Sequence, residues 1–300
     1  MNLFSISQLS QYSGIKPHTI RIWEQRYHAL KPDRSEGNTR YYNSDQLRRL
    51  LNIVSLMNSD HKVSELCTMP DDKLSELVLE RKYTIASEVS EYFVSQLIAA
   101  GMAYNQEQFE ELFEQCVSKY GISQTYKIII HPMLVRVGLM WSANSIPSVQ
   151  EHFISNILRQ KLLRSIDSLP PARPQSAKWL LFLPEDEFHE IGLLFAAFVI
   201  RESGNKVVYL GSSVSPEAVI AAVRDIKPQF LLLFLVHYNQ VEDVQQYLSK
   251  LDGGLDKESI YVAGNFKLLN QIIFPEKVHW LREIDSLEKL LQNHPKTLYV

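Results

Sequence analysis

Glu187 and His189 stand one residue apart and Gly192 follows three residues later, within Pro184-Glu185-Asp186-Glu187-Phe188-His189-Glu190-Ile191-Gly192. A carboxylate at that spacing can accept one ring N–H of the imidazole. Such a bond orients the ring, raises its basicity and prepares the other nitrogen to ligate a metal. Gly192 would let a large planar ligand approach the start of the following helix. A solvated loop histidine is the plainer reading of His189. In a second set, nine residues separate Trp141 from Glu151-His152, so an aromatic plate and two polar groups meet at one end of a helical pair. By residue type that set reads either as a ligand cap, or as a tryptophan closing a core beside a glutamate that offsets a helix dipole. A third group is basic: His18, Thr19, Arg21 and Arg26 lie within Pro17 to Tyr27, and Arg34, Asn38, Arg40, Tyr41 and Tyr42 follow. Arginines there can neutralise phosphates while hydroxyls and amides fix register on a duplex.

The elements that must position these groups fall into three regions. In residues 1–70, a helix beginning at Phe4-Ser5-Ile6-Ser7-Gln8-Leu9 turns at Ser13-Gly14-Ile15 into a second helix with Pro17 near its start, which is helix-turn-helix spacing. The Gly37-Asn38 turn then marks a wing. Residues 71–169 read as a helical bundle, with apolar residues at three- and four-residue spacing through Val78 to Leu97, Phe109 to Val117, Tyr126 to Met140 and Phe153 to Ile166. The stretch at 170–178, rich in proline, breaks the period as a linker does. Residues 179–300 alternate strands at Trp179–Leu183, Val207–Leu210, Phe230–Val236, Tyr261–Ala263 and Val278–Leu281 with helices from Glu190, Pro216, Val241, Phe266 and Ile284. The expected fold is multidomain α and α/β: a winged helix-turn-helix, a four-helix bundle, and a Rossmann-like five-stranded parallel sheet that binds ligands at the strands' carboxyl ends. His189 falls at that edge.

Composition narrows the function. The chain has 300 residues, 45% hydrophobic and 22% charged, as globular proteins do. Its longest apolar runs are too short to span a bilayer, and the N-terminus has no signal-peptide pattern, so the expected compartment is the cytoplasm with no membrane partner. Cys67 and Cys116 are too far apart for a CxxC motif. Residues 1–60 carry eight Lys or Arg against five acids, whereas the rest of the chain holds 23 basic and 29 acidic side chains. A basic head on an acidic body suggests a polyanion-binding module joined to one that binds something else.

FSISQLSQYSGIKPHTIRIWEQRY and NTRYYNSDQLRRL closely resemble the winged DNA-binding domain of the MerR family. That resemblance implies a dimer on near-palindromic double-stranded promoter DNA, with contacts from His18, Thr19, Arg21, Tyr27, Arg40 and Tyr42. Glu187-x-His189-x-x-Gly192 resembles the cobalamin-binding motif, whose histidine is the lower axial ligand of cobalt. Trp141-x9-Glu151-His152 resembles the upper-face motif of the adenosylcobalamin-dependent MerR photoreceptor regulators of CarH type. The resemblance implies a corrin held between bundle and Rossmann-like domain, with Trp141, Glu151 and His152 around the adenosyl group. It further implies a homodimer or homotetramer controlled by cobalamin, adenosylcobalamin above all, and by light.

Three positions depart from that pattern. Phe234 stands 42 residues after Gly192, where the family has a serine bordering the buried nucleotide tail, and Val236 completes an unusual Phe-x-Val. A phenyl ring there would crowd the tail. Ala263-Gly264 replaces the Gly-Gly that admits the tail's base, and Ser142 follows Trp141 where some members have a histidine that ligates cobalt after photolysis. The alternative is therefore a MerR-type regulator whose cobalamin-like domain has lost the cofactor and serves as an oligomerisation or other-ligand module. An enzyme is not expected, because cobalamin enzymes generally need a substrate barrel of roughly 250 residues and this chain has no room for one.

Overall fold

The computed structural model describes residues 3–34, 38–57, 61–80, 86–142, 148–237 and 240–293. It divides the chain into two compact units, 1–157 and 158–300. Among the described residues no helix is long and apolar enough to cross a membrane.

The first unit opens with α1 (Ile6–Ser13), whose Ser5 and Gln8 form a reciprocal capping box. Gly14 ends it at φ 72°, a left-handed turn that suits glycine, and α2 (Pro17–Tyr27) starts three residues on with proline in its first turn. Leu9, Tyr12, Ile20 and Trp23 are buried, which fixes α2 with its opposite face outward. The wing is a two-residue antiparallel pair, β1 (Asp33–Arg34) with β2 (Arg40–Tyr41). Of the Gly37-Asn38 turn, Gly37 lies outside the described residues. A bridge from Phe4 to Tyr42 ties the wing back to the chain's start.

Helices α3 (Ser44–Leu56), α4 (Val63–Thr68) and α5 (Asp71–Glu80) complete the head, and α6 (Ala86–Met102) packs against α3. A buried hydrogen bond from Gln96 to Asn52, at 2.9 Å, crosses that contact. Helix and head thus share one core. α7 (Gln106–Thr125) bends at Gly121, with φ 72° and ψ 166°, before a single π turn (Tyr126–Ile130) leads into α8 (His131–Ser142). The periodicity predicts two separate helices across this stretch. The backbone does leave helical geometry between them, at Gly121, where glycine tolerates the positive φ. α9 (Ser148–Asp167) follows and carries the division between the two units. Its Ile154 side chain lies where a Cβ on Gly101 would be, 2.5 Å away, so α6 and α9 approach at a glycine.

The second unit is a parallel sheet in the order β4-β3-β5-β6-β7, flanked by helices. Its strands are β3 (Lys178–Pro184), β4 (Lys206–Val214), β5 (Phe230–Leu235), β6 (Ser259–Gly264) and β7 (Val278–Trp280). The helices are α10 (Ile191–Glu202), α11 (Pro216–Ile226), α12 (Val241–Gly254), the four-residue α13 (Phe266–Leu269) and α14 (Ser286–Asn293). α10 contacts α14, and α11 contacts α12. Leu180, Phe182, Leu231, Leu233 and Leu235 join the α12 residues Val244, Leu248 and Leu251 in one core. Alternation along the strands therefore turns Phe234 to the other face, toward α10. Counted within the sheet, the order is second, first, third, fourth, fifth, so the chain leaves β3 and β5 in opposite directions. The crevice between their carboxyl ends is the switch point where such sheets bind ligands.

Candidate functional sites

At that switch point the loop between β3 and α10 is organised around one carboxylate. Glu187 is fully buried, and its Oε1 accepts from the amides of Phe188 (2.9 Å) and His189 (3.0 Å), while Oε2 accepts from those of Val236 and His237, both at 2.8 Å. The His189 Nδ1 completes the set, 2.6 Å from Oε1. Burial pushes the Glu187 carboxyl up. The bonds from the His189 ring and from the His237, His189 and Val236 amides outweigh it, leaving the group below the usual carboxylate range. With the carboxylate ionised, Nδ1–H donates, and Nε2 carries the lone pair that a metal needs. The His189 side chain keeps 45% of its surface exposed, and Phe188 beside it is 60% exposed. A ligand of mixed character thus meets an oriented imidazole next to an apolar ring.

His237, absent from the sequence-based set, belongs to this site as well. Its amide holds Glu187, and its ring centroid lies 6.2 Å from that of His189. The signal was positional: the residue falls just past the third strand, facing the switch point. Val236 enters through its backbone: its amide donates to Glu187, and its carbonyl accepts from the Asn265 side-chain amide at 3.3 Å.

Gly192 and Phe234 come together, as do Gly264 and Leu235. A Cβ built on Gly192 would sit 2.7 and 2.8 Å from two carbons of the Phe234 ring, so the phenyl occupies the space of the missing side chain. Phe234 pairs in register with Ala263, and a Cβ on Gly264 (φ 138°) would fall 2.0 Å from the Leu235 carbonyl oxygen. Only glycine permits that approach. The donor set at His189 fits an axially ligated corrinoid. The floor at Phe234 does not fit one that buries a nucleotide tail.

In the first unit, Trp141 lies in the last turn of α8, and its side chain and that of Ser142 lie outside the described residues. Glu151 is in the first turn of α9, and its Oε2 is 3.2 Å from Nδ1 of His152. That pair is far more open than the one at His189, with 68% of the His152 side chain exposed.

On the head, α2 presents His18, Arg21 and Arg26 to solvent, with Thr19 and Tyr27 half-buried. Arg34 is exposed and donates to Asn38 Oδ1 at 2.6 Å. Arg40 and Tyr42 both bond Glu24, each at 2.9 Å, and Tyr41 is half-buried beside them. Tyr42 departs from the expectation of a DNA contact. It is fully buried because its backbone pairs with Phe4, and its hydroxyl is given to Glu24. Burial first, and then the bond to Glu24, push its phenol up. Its geometry fits the positioning of Arg40. Arg49, counted in the basic head, is also internal: it donates to the Ala29 carbonyl (2.6 Å), the Cys67 carbonyl (2.7 Å) and Asp71 (2.5 Å).

Residues 4–69 match the model of the MerR HTH family regulatory protein, and residues 91–164 match that of the B12 binding domain. The HTH-type transcriptional repressor CarH of Myxococcus xanthus is 27% identical over 266 residues, covering 87% of this chain and 88% of its own. The repressor CarA of the same organism is 24% identical over 249 residues, covering 81% and 80% respectively. Among solved structures, the monomethylamine corrinoid protein of Methanosarcina barkeri aligns with 68% of this chain and 99% of its own, at a TM-score of 0.55 and 14% identity, a likeness of fold. The chain thus joins a MerR HTH region to a B12-binding domain and is homologous over most of its length to the CarH and CarA repressors.

Proposed function

We propose that this regulator binds promoter DNA through its head and is controlled by cobalamin held at His189. The observation that carries the reading is the buried Glu187, whose five bonds fix the His189 loop to the end of β5. A single imidazole supplies one ligand. Among the described residues no three His, Cys, Asp or Glu gather to hold a bare ion, so His189 suits a metal that arrives with its other ligands in place, as cobalt does in a corrin. When bound, the corrinoid supplies a cobalt–carbon bond that light can break. This chain's residues do the rest: Glu187 orients the ring, His189 binds, and Phe188 offers apolar contact. The resemblance assigns Trp141, Glu151 and His152 to the adenosyl group, which they would contact were adenosylcobalamin bound.

Control follows from linkage. A ligand that binds one assembly state more tightly shifts the population toward it by that difference in affinity, and so changes how many heads engage DNA together. The assemblies are a homodimer or homotetramer, and the DNA-facing set is His18, Thr19, Arg21, Arg26, Tyr27, Arg34, Arg40 and Tyr41. A binding and regulatory role, rather than an enzymatic one, agrees with the repressors it resembles. The intact cage around His189 speaks against a domain that has lost its cofactor.

The test is the absorbance of protein incubated with adenosylcobalamin in the dark and then desalted, beside a His189→Ala variant. Retained corrinoid colour that the variant loses is expected. No colour in the parent chain with adenosylcobalamin or with its tail-less analogue rejects the reading, and a gel-filtration profile unmoved by ligand and by light rejects the assembly switch.

A further inference from the structure

The two sides of the His189 site disagree about the size of their ligand. A metal macrocycle offers one axial position on each face. Once His189 takes the face toward the sheet, a nucleotide base tethered to that face must leave the metal and pass into the protein beside the histidine. Two routes lead down from the edge, one on each flank of β5. Between β5 and α10, the Phe234 ring lies within 2.7 Å of the Cβ position of Gly192, so the phenyl already fills the slot that the glycine opens. Between β5 and β6, the Gly264 backbone closes against the Leu235 carbonyl, and Asn265 donates to that same oxygen at 2.8 Å. The parallel ladder runs unbroken to this point, with Phe234 opposite Ala263 and Leu235 opposite Gly264. At Gly192 and at Gly264, then, the space next to the glycine is already taken, by the Phe234 ring and by the Leu235 carbonyl. The histidine cage, by contrast, is complete without a tail base.

We propose that this site selects corrinoids that lack the nucleotide tail, with Phe234 as the residue that sets the selection. It rests on the corrinoid reading above and narrows its ligand class from cobalamin to cobinamide-like rings. Phe234 takes the place of the tail: its ring packs on Gly192. A smaller side chain at 234 would reopen the route without touching Glu187 or His189.

Titrating the full chain and its Phe234→Ser variant with diaquocobinamide and with hydroxocobalamin in the dark, by absorbance, tests this. The parent chain should hold cobinamide at least about tenfold more tightly than cobalamin. Phe234→Ser should erase most of that gap by tightening cobalamin, with cobinamide affinity within about twofold of the parent, which also reports that the variant is folded. Electron paramagnetic resonance of the cobalt(II) forms, on protein labelled with 15N-histidine, should show the axial nitrogen of His189 with cobinamide in both proteins. Equal affinities in the parent chain overturn the selection and leave the corrinoid reading intact. A preference that Phe234→Ser does not change also overturns it, since it then reflects only the tail base's own hold on cobalt. Failure of the parent chain to hold either corrinoid overturns the corrinoid reading, and the selection with it.

Discussion

The Glu187–His189 pair and the Glu151–His152 pair are made of the same two residue types, yet the molecule treats them differently. Glu187 is buried and gathers four backbone amides besides the imidazole, so its histidine is fixed by the fold. Glu151 and His152 are neighbours in a first helical turn, joined across 3.2 Å with most of the imidazole in solvent. A glutamate therefore orients a histidine only as firmly as the backbone orients the glutamate. One histidine is held in place by the fold, and the other is left largely to solvent.

Removing each glutamate measures the contrast. Glu187→Ala strands buried amide donors and should destabilise the second unit by about 3–5 kcal/mol, since each hydrogen bond to a charged group contributes about 1.5–3 kcal/mol. A fall of roughly 10 °C in its melting temperature is expected from about 2–4 °C per kcal/mol. Glu151→Ala should shift stability by less than about 0.5 kcal/mol, as exposed pairs do. Comparable losses in circular-dichroism melts of the two variants would erase the distinction.

Acid sharpens the same comparison. Because the folded Glu187 titrates below its ordinary value of 4.5, its contribution is present above that value and is lost as pH falls through the lower, folded one. Denaturant midpoints of the parent chain should therefore drop below pH 4.5 by more than those of Glu187→Gln, which has no charge to lose. Parallel pH profiles would mean that the carboxylate's five bonds do not favour its ionised form.

The sheet was legible because hydrophobic runs at Leu180–Leu183 and Leu231–Leu235 alternate with amphipathic helices, a pattern that needs no tertiary knowledge. Glu187-x-His189 was legible too, since the two residues bond within one loop. What the chain alone could not reveal lies across it. His237 joins the site from the end of another strand, and Tyr42 turns inward only because Phe4, 38 positions earlier, pairs with it. The fit of Phe234 on Gly192 is likewise a distance between elements, although the ring's crowding effect was foreseeable from its size. The break at Gly121 was legible as well, since it falls where the apolar spacing lapses between Val117 and Tyr126.

The anchored-versus-exposed contrast recurs among the head's arginines. Arg49 reaches three acceptors on separate segments, those of Ala29, Cys67 and Asp71, and its side chain is 15% exposed. Arg49→Ala should cost about 2 kcal/mol, because two carbonyls lose their donor and three elements lose their tie. Urea midpoints followed by tryptophan fluorescence would check it, and an unchanged midpoint would reassign Arg49 to the DNA-facing surface.

Arg21 is the opposite case, exposed on α2 one turn from His18. Its replacement by alanine should leave the melt within about 0.5 kcal/mol of the parent, the usual range for a surface substitution. On a duplex the same change should lower the magnitude of the slope of log K against log salt by about 0.9, one phosphate's worth of released counterions. Fluorescence anisotropy of a labelled promoter duplex at several salt concentrations reads that slope directly. If Arg21 instead reads a base edge, the loss will concentrate on one sequence and the slope will barely move. An unchanged affinity on every duplex would place the DNA-facing surface elsewhere on the head, with the wing arginine Arg34 the next to test.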